Sequence, residues 1–267
     1  MRQPEVPRGR TERKPGLTHT VTGQVATVVI DNPAKRNAMT PAMWRALPGL
    51  LATLAGDPSV RALVLTGAGA TFCAGADIAA LRDPAESPRD LAVAAEEALA
   101  AFPWPTVAAV RGHCVGGGCQ LAVACDLRFA EEGALLGVTP ARLGVVYPAS
   151  ATRRLAALTG PSAARYLLFS GELIGTERAL RTGLVDEVVP VGGLAKRIAE
   201  FTGVLTERSL LTQAAAKEFL AGAGPEREEF WERQGREQAG PGGETAEGAT
   251  AFLERRPPRF TWRGPLA

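Results

Sequence analysis

Histidine is scarce in this 267-residue sequence, and neither sign of charge is in excess. Only His19 and His113 are present, and Cys73, Cys114, Cys119 and Cys125 form no Cys-x-x-Cys pair, which argues against a zinc site. Thirty basic residues against 28 acidic ones leave a formal net charge of +2, so no global field points to nucleic acid or a membrane surface. An acidic ligand would need a local basic site. No hydrophobic signal segment opens the sequence and no apolar run is long enough to span a bilayer, so the cysteines are expected to be reduced core thiols of a cytoplasmic protein. There is no internal repeat and no low-complexity segment.

What is present is a 46% hydrophobic composition, enough for a substantial core in one large domain or one domain with an appendage. Met1 to Gly16 carries Arg2, Arg8, Arg10, Arg13 and Lys14 among prolines and glycines without apolar periodicity, and is predicted to be a disordered tail. From Thr20 onward β-branched runs at Val25–Ile30, Ala62–Thr66, Val107–Val110 and Leu127–Ala130 predict strands. Helices are predicted between them at Pro41–Ala55, Ala85–Ala101 and Gly117–Ala124, then at Pro161–Phe169 and Thr176–Thr182 before a last strand at Val185–Val189. Repeated crossovers of this kind imply an α/β architecture with parallel sheets. After Val191 the pattern is helical only, at Gly193–Leu205, Ser209–Ala221, Glu226–Gln238 and Glu244–Glu254, with Gly240–Gly243 as a loop. Such a helical end must pack on its own core or on a neighbouring subunit.

Two glycine-containing segments about forty residues apart each follow a predicted strand: Gly67 to Asp77, and Arg111 to Cys119. Neither has the Gly-Lys-Ser/Thr of a phosphate loop, and neither fits a dinucleotide fingerprint with a suitably placed acidic residue. Their backbone amides are the groups of interest. Glycines at a helix start let the main chain approach a ligand, and free N–H groups there point at negative charge.

Phe72-Cys73-Ala74-Gly75-Ala76-Asp77, followed by the stretch from Arg111 through Gly116-Gly117-Gly118-Cys119-Gln120 to Ala130, resembles the crotonase, or enoyl-CoA hydratase/isomerase, family. The likeness runs from about Val21 to Phe260. It implies a crotonase-like ββα spiral core over residues 17–205 and a C-terminal helical oligomerisation region over 206–267, assembling as a homotrimer or a dimer of trimers. It also implies an acyl-CoA substrate, with coenzyme A as part of the substrate and no tightly bound cofactor. The peptide N–H groups of Ala76 and Gly117 would form an oxyanion hole for the thioester carbonyl, each such donor being worth about 2.7–4 kcal/mol in the transition state. Lys35, Arg36, Ala38, Ala74, Asp77 and Ile78 would lie beside the CoA nucleotide. Arg256 and Arg259 are candidates for a neighbouring subunit's CoA.

The sequence departs from the hydratases where chemistry is done. The family's usual glutamate after the glycine run is Gln120, and its second glutamate, in a Pro-Glu step, is replaced at Pro140. An amide cannot accept and return a proton at neutral pH, and proline has no functional side chain. Thr139-Pro140-Ala141-Arg142-Leu143-Gly144-Val145-Val146-Tyr147 resembles the methylmalonyl-CoA decarboxylase branch, with Tyr147 in the position of an active-site tyrosine. This reading favours decarboxylation of a malonyl-CoA derivative, with Tyr147 and Gln120 as polar groups and Pro140 and Arg142 near the pocket. The alternatives are an enoyl-CoA hydratase/isomerase with a non-standard acid/base, and a non-catalytic acyl-CoA-binding protein. Tyr147 could equally be a core aromatic, and Arg142 equally part of a surface ion pair. His113, Asp77 and Asp126 are expected to fix structure rather than move protons.

Overall fold

The computed structural model describes residues 14–79 and 88–264. Of the expected tail, residues 1–13 lie outside the described residues, and from Gly16 the chain is already a strand. That strand, β1 (Gly16–Thr22), pairs antiparallel with β2 (Val25–Asp31) across Gly23 and Gln24, both at positive φ (56° and 70°). Two left-handed residues between strands make a turn whose twist matches a hairpin. The sequence pattern did not show β1 because five of its seven residues are exposed, leaving no buried stripe to detect.

From β2 the chain passes through α1 (Pro41–Ala55), β3 (Ala62–Gly67), α2 (Pro88–Ala100) and β4 (Thr106–Val110) to β5 (His113–Val115) and α3 (Gly117–Ala124). It continues as β6 (Leu127–Glu131), β7 (Leu135–Gly137), α4 (Pro140–Leu143), α5 (Ala149–Ser170), β8 (Ile174–Gly175), α6 (Thr176–Arg181) and β9 (Glu187–Val189). Four helices close it: α7 (Leu194–Glu207), α8 (Leu210–Leu220), α9 (Pro225–Glu237) and α10 (Glu244–Glu254). The main sheet runs β1-β2-β3-β4-β6-β9, parallel beyond the first pair, and β5-β7-β8 form a second, small sheet. The architecture is thus the expected α/β one with a helical C-terminal region.

Both faces of the main sheet are covered. Leu63 and Leu65 of β3 face the large core with Trp44 and Leu47 of α1, whereas Val64 joins Val107, Ala109 and Phe129 against Leu194 and Ile198 of α7. This alternation follows from the two-residue period of a strand, and burial on both sides explains the unbroken apolar run of β4.

Several boundaries differ from expectation for local reasons. The helix expected at Ala85–Ala101 is α2, Pro88–Ala100, its expected first residues 85–87 lying outside the described residues. The helix expected at Pro161–Phe169 is only the second half of α5, which bends at Gly160 (φ 75°, ψ 159°). Strands β5, β7 and β8, of two or three residues, are too short to show any period. No helix among the described residues is long and apolar enough to cross a membrane.

The C-terminal helices are fixed to the core through Trp262, whose ring meets Trp104 and Trp231 at centroid distances of 6.5 and 5.8 Å. Beside it, Arg256 donates to both oxygens of Glu247 at 2.7 and 2.9 Å, and the Arg259 peptide N–H adds a third bond at 2.6 Å. The Arg256 bonds, then the Arg259 one, lower the Glu247 carboxyl to about 2. A depressed carboxyl contributes stability above its unfolded value and loses it as pH falls through the folded one. The 256–262 segment is therefore expected to loosen between about pH 4.5 and 2. The Trp262 indole N–H resonance should report this, and Glu247→Gln should remove the transition.

Candidate active site

The two glycine segments meet edge to edge. The Cys73 N–H donates to His113 O and the Val115 N–H to Cys73 O, both at 2.9 Å, so the loop after β3 is stitched to β5. On the loop's other side Met39 N–H bonds Gly75 O at 2.8 Å and Asp77 N–H bonds Met39 O at 2.9 Å. Asn37, buried, supports the same loop through Nδ2 bonds to Ala68 O (2.9 Å) and Thr71 O (2.6 Å). Gly118 packs flat against Cys73: a methyl group there would sit 2.3 Å from Cys73 O.

This stitching converges two peptide nitrogens. A β-carbon built on Gly117 would lie 3.5 Å from Ala76 N, and one on Gly75 would lie 3.4 Å from Gly117 N. Neither the Ala76 nor the Gly117 N–H has a hydrogen-bond partner among the described residues. Gly117 is the first residue of α3, where an N–H has no partner within its own helix. Two unpaired donors beside a helix N-terminus favour an oxygen that gains negative charge.

The donors open on a cleft of about 810 Å³, solvent at its mouth included, walled mainly by apolar groups such as Trp44, Ala92, Leu143, Val145 and Pro148. Ala76, Gly117, Gln120, Pro140, Tyr147, Ala74 and Ile78 all line it, so most of the expected residues come together. Arg142, expected near the pocket or at the surface, is exposed at the end of α4, is not on the cleft wall, and lays its side chain over Gly171. The four-residue α4 turns Pro140 and Leu143 inward, which leaves Arg142 facing out.

The residues expected beside the nucleotide divide. Ala38 is buried behind the loop, Arg36 is exposed with its carbonyl accepting from Ala74 N–H at 3.0 Å, and Lys35 is paired with Asp77 at 2.6 Å. The Lys35 hydrogen bond holds the Asp77 carboxyl below the usual range and ties the loop to the turn that carries Lys35. Arg256 is engaged by Glu247 and Glu254 of its own chain. His113 lies in β5 away from the cleft wall, and Asp126 accepts from Thr106 and Lys217. The four cysteines are buried thiols, and burial raises Cys73 and Cys125 to about 12.

Neither glycine motif pointed to Glu96. It is fully buried on α2 and accepts from Gln120 Nε2 at 2.6 Å, while its other oxygen is paired with Arg154 of α5. Burial raises the Glu96 carboxyl against the pull of Gln120 and Arg154. Tyr147, packed on the core, has its phenol raised by burial first and then by Cys119, Glu96 and Cys114, so it is a neutral O–H donor. A signal for Glu96 was available: Ala92, Ala95, Glu96 and Leu99 form the buried stripe of α2, and a charge in such a stripe needs partners.

A family model described as enoyl-CoA hydratase/isomerase matches residues 20–263. The chain belongs to the enoyl-CoA hydratase/isomerase, or crotonase, family. Within this family it is 37% identical over 261 residues to a putative enoyl-CoA hydratase of Thermus thermophilus, covering 89% of this chain and 98% of the other. It is 33% identical to the 2,3-dehydroadipyl-CoA hydratase of Escherichia coli, covering 90% and 96%. A crystal structure of an enoyl-CoA hydratase/isomerase family member superposes with a TM-score of 0.87 at 35% identity, covering 94% of this chain and all of that one. The protein is thus a crotonase-family enzyme of acyl-CoA thioesters, a family that needs no tightly bound cofactor.

Proposed function

We propose that the protein catalyses hydration or double-bond isomerisation of a 2-enoyl-CoA through a thioester enolate, with a non-standard proton carrier. The observation that carries this reading is the pair of unpartnered N–H groups of Ala76 and Gly117 at the head of an apolar cleft. With the thioester oxygen between them, addition of water at the β-carbon moves the double-bond electrons onto that oxygen, and the α-carbon then takes a proton. Tyr147, kept neutral by burial, is the donor on the cleft wall. The proton given up by the attacking water refills its oxygen. Relatives support this class: besides the E. coli hydratase, a Syntrophomonas wolfei crotonyl-CoA hydratase is 32% identical over 246 residues. General acid/base catalysis is worth about 10²–10⁴-fold per group, so turnover is expected to be slow for the family.

A second reading, decarboxylation of a malonyl-type thioester such as methylmalonyl-CoA, is favoured by one observation: no described residue on the cleft wall is a carboxylate. Loss of carbon dioxide delivers the same enolate without a base, and Tyr147 would then only quench it. Steady-state assays with crotonyl-CoA, methylmalonyl-CoA and ethylmalonyl-CoA separate the two. Crotonyl-CoA turnover supports the first, carbon dioxide release supports the second, and binding without turnover of any of the three would sink both. Self-association through the C-terminal helices, such as the trimer the family resemblance implies, is supported by the exposed Leu220, Phe252 and Leu253.

A further inference from the structure

Gln120 is the side chain on which the reaction class turns, and its behaviour depends on a neighbour behind the wall. Its Nε2 donates to Glu96 Oε2 at 2.6 Å, and the partner is fully buried. Glu96 in turn is held by Arg154, whose other nitrogen reaches Glu97 at 3.2 Å. An ionised carboxylate only accepts, so the amide has one favourable orientation against it. We propose that Glu96 is a positioning residue: it fixes the Gln120 amide with Nε2 turned to the core and Oε1 turned to the cleft, making Gln120 an obligatory hydrogen-bond acceptor for the water or acyl group bound there.

This role of Glu96 deepens the proposed enolate chemistry and rests on it for its catalytic consequence. An acceptor at Gln120 orients water through one of its hydrogens and leaves a lone pair free for the β-carbon. A donor there would occupy that lone pair instead. Glu96 does this without touching substrate, since it is not on the cleft wall. The arrangement also explains why a carboxylate is disfavoured at position 120: beside Glu96 it would set two like charges at hydrogen-bond distance, which cannot both ionise. The charged and titratable groups around the pair are Arg154 from α5, Glu97 from α2, Tyr147 from the loop before α5, and Cys119 and Cys114. Arg154 alone among them is cationic.

Two measurements test it independently. The Gln120 side-chain NH₂ resonances, assigned by their loss in Gln120→Met, should be shifted downfield and slow to exchange in the wild-type protein, and should move to free-amide positions in Glu96→Ala. Glu96→Gln, whose amide can meet Gln120 by either end, should lower kcat about tenfold on whichever of crotonyl-CoA or methylmalonyl-CoA is turned over, with KM within about twofold. Glu96→Gln/Gln120→Glu, which restores one carboxylate facing one amide, should recover kcat on crotonyl-CoA above either single variant. A free-amide spectrum in the wild type overturns the proposal, as does a Glu96→Gln effect confined to KM, or a double variant no better than the singles. Should the Glu96 variants fail to fold, the wild-type amide exchange rate decides. Absence of wild-type turnover would count against the enolate reading, while the resonance test still judges the orientation of Gln120.

Discussion

Ala76→Pro lowers kcat by about 10²–10³-fold, the loss expected when one oxyanion donor worth about 2.7–4 kcal/mol is removed. Proline deletes the N–H and leaves the carbonyl. At this position the deletion costs the segment none of its hydrogen bonds, because these run from Met39 N–H to Gly75 O and from Asp77 N–H to Met39 O, and neither uses the Ala76 N–H. Binding of the CoA ester should fall much less than kcat, since the hydrogen bond strengthens as charge builds on the thioester oxygen. Steady-state kinetics, with thermal unfolding to show an unchanged fold, checks this. Equal losses in binding and kcat would mean that the N–H serves the ground state only.

Gly118→Ala destabilises the protein at the upper end of the about 1–3 kcal/mol cost of overpacking and removes activity with it. The added methyl would lie 2.3 Å from Cys73 O, 2.7 Å from Cys73 Cβ and 2.9 Å from Cys73 C, and backbone cannot swing aside as a side-chain tip can. Relief requires α3 and the loop of Ala76 to part, and that closeness is what brings the Gly117 and Ala76 nitrogens together. The same substitution at Gly49 in α1 meets nothing within 4 Å and should instead stabilise by about 0.5–1 kcal/mol, as alanine replaces glycine in a helix. Thermal unfolding of the two variants side by side should therefore shift in opposite directions.

The two glycine segments were legible in the amino-acid sequence because tight packing of backbone on backbone leaves glycine as the sole choice, and the paired segments carried that pattern openly. The long apolar strands were legible too: β3 and β4 are buried on both faces, so each reads as an unbroken run. β1 was not, being an exposed edge strand held by its hairpin turn rather than by a buried stripe. The two places left open for Arg142, pocket or surface, could not be told apart because a motif gives order along the chain, whereas one turn of helix decides which of its residues face the cleft. Glu96 lay outside both motifs. Its link to Gln120 crosses from α2 to α3, and only the buried charge in an apolar helical stripe hinted at it.

The decarboxylase-like stretch from Thr139 to Tyr147 shows the same division between pattern and geometry. Pro140 and Tyr147 of that stretch line the cleft, while the E. coli and S. wolfei relatives are hydratases. Both chemistries pass through one enolate, so the residues that stabilise it are common to them. What differs is how the enolate is reached, by attack of a water that must give up a proton or by loss of carbon dioxide without a base, and in the proposed scheme the groups at that step are Tyr147, Gln120 and the hidden Glu96.

The most direct measurement is a crystal structure of the protein with a slowly reacting acyl-CoA such as acetoacetyl-CoA. The thioester oxygen should lie within about 2.7–3.1 Å of both the Ala76 and Gly117 nitrogens, with the acyl chain against Tyr147 and Gln120. A thioester oxygen bound elsewhere, with those two N–H groups turned to water, would contradict the account.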